Sequence, residues 1–118
     1  MFEQDRITTS YNDEFLMNSK GVEYLTGNAT LDTSTLTDGQ VIEAGTAIHK
    51  NEETGYFELV TAETVAPLRL PALVRHSIRV DTNKHNYVSA ITAGNPIEEL
   101  CTGVTDVFKE ANGKFIFY

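Results

Sequence analysis

Residues 38–61 read D-G-Q-V-I-E-A-G-T-A-I-H-K-N-E-E-T-G-Y-F-E-L-V-T. Three short apolar runs, at 40–42, 46–50 and 56–61, are set off by Asp38-Gly39, by Glu43-Ala44-Gly45 and by the polar stretch 51–55. Runs of this length, bounded by glycine and Asx residues that favour tight turns, predict strands joined by short reversals. Glycine at 39, 45 and 55 repeats that strand–turn rhythm roughly every ten residues, which predicts a compact β-fold rather than alternating βαβ units.

Working outward, 22–26 is one further strand candidate, followed by a Thr-, Ser- and Asp-rich loop to residue 36. Pro67 and Pro71 resist ladder pairing, so 62–71 is expected to cross irregularly. Over 73–80 the chain alternates: His76, Ile78 and Val80 share one face, and Arg75, Ser77 and Arg79 share the other, expected to be wet. Residues 81–86 form a turn and 87–92 another strand. At the end, Asn95, Pro96 and Glu98 are placed as an N-cap, a first helical residue and a capping-box acid. Ile97, Leu100, Cys101, Val104, Val107, Phe108 and Ala111 then fall on one helical stripe. Gly103 weakens its middle and allows two short helices. Asn112-Gly113 stops the helix, and 114–118 (KFIFY) reads as a terminal strand. The expected class is mainly β, a β-tulip-like or β-sandwich-like domain with one short helix near its end.

The first twenty residues differ. Phe2, Ile7, Tyr11, Phe15, Leu16 and Met17 follow neither strand nor helix period, yet are too many for a solubilising tail. The segment is expected to order against something else, as an extended arm over 1–25 ahead of a domain at 26–118. Packing as a strand on its own domain is the alternative.

With 118 residues the chain makes one domain. No apolar run spans a membrane, no secretory leader is expected, and the single Cys101 forms no internal disulfide. The net charge of −8 argues against a nucleic-acid partner. Residues 67–97 nevertheless carry four basic side chains against Asp81 alone, so Arg75 and Arg79 are candidate subunit contacts, with a solvated strand face as the alternative. His49, His76 and His85 have no metal-ligand spacing, and Cys101 fits a small buried hydrophobe. Asp13-Glu14, Glu52-Glu53 and Glu98-Glu99 are sequence neighbours that do not converge on one substrate, and Glu98-Glu99 suits a helix start. No nucleophile elbow, phosphate loop or dinucleotide fingerprint is present. The residues therefore give no catalytic, cofactor or metal site, and a non-enzymatic role is expected.

The order of segments past the arm is D-G-Q-V-I-E-A-G-T-A-I, E-T-G-Y-F-E-L-V, A-L-V-R-H-S-I-R-V-D, V-S-A-I-T-A-G-N-P and N-G-K-F-I-F-Y. It resembles the lambda-type head decoration proteins of tailed bacteriophages over about residues 38–118. An early A-G-T turn and a mid-chain apolar segment are common there, although Ala72 stands where a glycine is usual. The resemblance implies a β-tulip, homotrimers on the exterior of the expanded head, synthesis in the host cytoplasm, and the major capsid protein as partner. It also implies an arm that adds a strand to a capsid sheet. Phe2, Ile7, Tyr11, Phe15 and Leu16 would then be its apolar anchors. Ordering such an arm costs about 1–2 kcal/mol per residue. Other readings stay open: a head-fibre base, a head–tail joining subunit, or a barrel-sandwich carrier with Lys50 near its hairpin.

Overall fold

The computed structural model describes residues 15–18, 20–65, 67–111 and 113–118. The protein is mainly β with one short helix near its C-terminus, and its larger sheet curls into a half-barrel. The strands are β1 (Glu23–Tyr24), β2 (Ala29–Leu31), β3 (Val41–Ile42), β4 (Ala47–Lys50), β5 (Phe57–Leu59), β6 (Arg69–Val74), β7 (Ile78–Arg79), β8 (Asn86–Val88) and β9 (Ala90–Ala93). Helix α1 is Asp106–Ala111, and single 3₁₀ turns occupy Thr33–Thr35 and Glu98–Leu100. Among the described residues seven strands make one sheet, ordered β1-β9-β6-β4-β5-β2-β8, while β3 and β7 pair as a separate ribbon. All pairs are antiparallel except β2 with β5.

The centre of the sheet is buried on both faces. Register sets Ile48 opposite Ala72 and Val74 opposite Ala90, while Leu73 faces both Ala47 and Ile91. The first group joins Ala29, Leu31, Ile42, Phe57, Val80 and Val88 in one core. The second meets Phe15, Val60, Phe108 and Phe115 in another. Because side chains alternate along a strand, continuous apolar runs such as Ala72-Leu73-Val74 feed both cores at once. Phe108 of α1 stacks on Phe115 with ring centroids 5.9 Å apart, closing the second core.

Several sequence expectations are corrected. The strand expected over 73–80 is two: β6 ends at Val74, the chain bends at Arg75 and His76, and β7 leaves to pair with β3. The crossing expected over 62–71 ends sooner, since Arg69, Leu70 and Pro71 already belong to β6. Between the pairs Ile48–Ala72 and Lys50–Arg69, His49 alone opposes Leu70 and Pro71, so the strand bulges there. Leu70 takes a positive φ of 47°, and the bulge accommodates a proline in an interior strand. β2 falls inside the segment read as loop, where it forms parallel and antiparallel pairs at once.

The helix expected from Pro96 is the larger correction. Residues 98–100 make a single 3₁₀ turn and α1 starts only at Asp106, with Gly103 between them at φ 79°. Asn95 does not cap. Its side-chain amide donates to Asn18 Oδ1 and to the Lys20 carbonyl. Of the strand expected over 114–118, Lys114 lies in a turn and Phe115 makes a single parallel bridge to Gly94; Ile116 N–H donates to the Gly94 carbonyl at 3.0 Å and Tyr118 N–H to the Pro96 carbonyl at 2.9 Å.

Candidate interaction surface

The stretch V-I-E-A-G-T-A-I contains the contact that anchors the start of the described chain. Gly45 has φ 88°, a left-handed conformation that glycine adopts without strain. A β-carbon on Gly45 would lie 3.2 Å from Phe15 Cγ and 3.1 Å from the Leu100 carbonyl oxygen. The turn thus lets the Phe15 ring approach its backbone. Phe15 is only 2% exposed and is a core residue.

From there the chain runs beside 95–97. Ile97 N–H donates to the Phe15 carbonyl at 2.6 Å and Met17 N–H to the Asn95 carbonyl at 2.7 Å, with Leu16 bridged to Pro96. β1 continues onto β9, and Lys114 Nζ meets Glu23 Oε1 at 3.2 Å across that edge. Residues 15–18, 94–98 and 114–118 therefore form a three-segment ribbon that holds the start of the described chain. Met17, Leu100, Ile116 and Tyr118 are all exposed on or beside this ribbon. Large apolar side chains gathered on one structural unit mark a contact surface more than singly scattered ones do.

The expected site residues divide accordingly. Phe2, Ile7 and Tyr11 lie outside the described residues. Phe15 is buried in the second core and Leu16 is half-buried against it, a packed site that would be costly to empty. Of the stretch 1–25 expected as an arm, Phe15 and Leu16 pack against the second core and Glu23–Tyr24 pair with β9. Arg75 and Arg79 do not share a face of one strand. Arg75 sits over the Tyr24 ring, 4.7 Å from its centroid, and its N–H donates to Ser89. Exposed Arg79 donates from its guanidinium to the Gly39 carbonyl at 3.1 Å. Sequence reading missed Met17, Leu100, Ile116 and Tyr118 as a group. The signal available was the dense F-L-M and F-I-F-Y runs at the two ends.

The other candidates have structural surroundings. His49 Nε2 lies 3.9 Å from Glu58 Oε1, and Asn51 donates to the other oxygen of Glu58. His76 is half-buried at the bend after β6, and His85 lies between two tyrosines. Among the described residues no three His, Cys, Asp or Glu side chains are grouped to hold a metal ion. Cys101 is half-buried and donates to the Ile97 carbonyl; burial, and then the charge of Glu98, push its thiol up to about 11. Lys109 meets Glu98 Oε1 at 2.9 Å, and that hydrogen bond raises the ammonium above its ordinary range. Lys50 ends β4, paired with Phe57 and Arg69, rather than standing at a hairpin tip. No known protein family, curated protein or solved structure matches this chain.

Proposed function

We propose that this protein is a structural component of a tailed-phage virion, a decoration protein that binds the outside of the expanded head and stabilises it without catalysis. The observation that carries the reading is the ribbon at 15–18, 94–98 and 114–118. It joins an aromatic-bearing N-terminal segment to a β-domain beside the exposed Met17, Ile116 and Tyr118. An extended segment that adds to a partner's sheet edge gains backbone hydrogen bonds, and flanking apolar side chains add area. The strand order that resembles lambda-type decoration proteins supports the same assignment, as does the β-rich fold.

On this reading Phe2, Ile7 and Tyr11 anchor the segment on the major capsid protein, and the domain assembles as a trimer. A ligand that binds the mature lattice and not its disassembled subunits stabilises it by mass action, so each contact need not be tight. The test is a chain beginning at Phe15, added to expanded heads that lack the protein. It should stay folded and fail to decorate them, whereas the full chain should bind in multiples of three copies. Full occupancy by the shortened chain would sink the arm, isolated monomers on the heads would sink the trimer, and failure of the full chain to bind would sink decoration itself.

A further inference from the structure

The face of the large sheet that holds Ala47, Leu73 and Ile91 is covered by Phe15, α1 and Phe115 toward the β9-β6-β4 end. Among the described residues no such cluster covers the same face at the β5-β2-β8 end, where Tyr56 and Tyr87 are exposed. Phe57, Leu31, Asn86 and Val88 are buried on the other side, so by strand alternation Tyr56, Glu58, Thr30 and Tyr87 stand on the uncovered face. Thr30 pairs directly with Tyr87, and Leu31 with Phe57, so these residues belong to adjacent strands. His85 lies between Tyr56 and Tyr87, with its ring centroid 6.2 Å from each. The three rings are exposed and inclined at 45° and 41° along the row. A groove of about 310 Å³ adjoins it, lined by Thr33, Thr82, Asn83, Lys84 and His85.

We infer that this platform binds a neutral glycan. A pyranose ring has an apolar C–H face and a rim of hydroxyls. Aromatic faces are electron-rich and attract polarised C–H groups, while the hydroxyl, amide and ammonium groups of the groove can meet the rim. Tyrosine suits an open platform because its ring contacts the ligand while its hydroxyl stays wet. Single-stranded nucleic acid also stacks on aromatic rows, but it needs a basic track along its backbone. Here, among the described residues lining the groove, Lys84 is the one lysine or arginine, on a chain of net charge −8. The inference does not depend on the proposed capsid role, since the platform lies at the other end of the strand order from the N-terminal ribbon.

The protein has five tyrosines and no tryptophan, and Tyr56 and Tyr87 are two of the five, so an emission change is assigned to the platform by its loss in variants at those two positions. The full-length chain is titrated with cellohexaose, maltohexaose and chitohexaose, and separately with a single-stranded oligothymidylate at low salt. At least one hexasaccharide should change the emission saturably. Tyr87→Ala and Tyr56→Ala should each weaken it about three- to tenfold, the range of one aromatic contact. Tyr87→Phe should keep most of the affinity. Both tyrosines are exposed, and unchanged melting of the variants separates lost binding from lost fold. No response to any hexasaccharide, a response that both alanine variants retain, or binding of the oligothymidylate alone would overturn the inference.

Discussion

Cys101 illustrates how one position acquires its chemistry from packing. Its sulfur is half-buried against the carbonyl of Ile97, and a thiolate there would lose solvation and face Glu98. The folded state therefore favours the protonated thiol, whose titration rises from 9.0 to about 11. That preference contributes fully below the ordinary thiol range and is lost as pH rises through about 11. Alkylation follows the thiolate. Iodoacetamide at pH 8 should modify Cys101 about 100-fold more slowly in the native protein than in urea, two pH units of thiolate suppression. Equal rates would show that the side chain is not held as the structure has it. Asp32 is shifted the opposite way. Its carboxylate accepts from the Ser34 hydroxyl at 2.7 Å and the Ser34 N–H at 3.0 Å, and these bonds lower its pKa at the entry to the 3₁₀ turn.

At the scale of elements, the break between residues 100 and 106 is what makes the C-terminal region useful. Gly103 has φ 79°, and a β-carbon there would approach the Val60 carbonyl oxygen to 2.6 Å. The close approach brings Thr102 beside Gly45 and Thr46, where Ala47 N–H donates to the Thr102 carbonyl at 2.8 Å. A continuous helix from Pro96 would remove both contacts and carry Phe108 away from Phe115. Gly103→Ala combines backbone strain of about 1–3 kcal/mol with a clash against main chain. Chemical denaturation should accordingly show a loss of at least about 2 kcal/mol, with wild-type-like β content before the transition. A neutral substitution would mean that 101–105 can relax without disturbing β4. The amphipathic stripe was legible, but the choice between one helix and two pieces was not, because it turns on a contact 43 residues away in sequence.

For the whole molecule, the question is where the domain begins. Phe15 fills the space between the Gly45 turn and the core of Val60, Leu73, Ile91 and Phe108. Removing the chain up to Phe15 should leave the melting temperature close to that of the full protein. Phe15→Ala, by contrast, should cost about 3–5 kcal/mol, as expected for emptying a packed aromatic site. If Phe15→Ala were as stable as the wild type, the ring would not be a core element and the arm would extend through it, as its irregular sequence context suggests. The β-rich class and the turn at Gly45 were readable from glycine spacing and β-branched runs, since those are local preferences. The assignment of Phe15 was not, because nothing in M-F-E-Q-D-R-I-T-T-S-Y-N-D-E-F-L-M distinguishes a core ring from an arm anchor.

By itself, then, the sequence determined that the chain folds as a mainly β domain with a short helix near its end. Apolar period, turn residues and a helix breaker act within a few residues of one another, and their preferences survive without the rest of the fold. Tertiary structure alone decided the bend after Val74, the parallel partner of Leu31 and the seat of Phe15. It also set the exposed Tyr56, His85 and Tyr87 in a row at one end of a sheet face. Each of these depends on which distant surface arrives to bury a side chain. Burial free energy belongs to the pair of surfaces and not to either sequence segment.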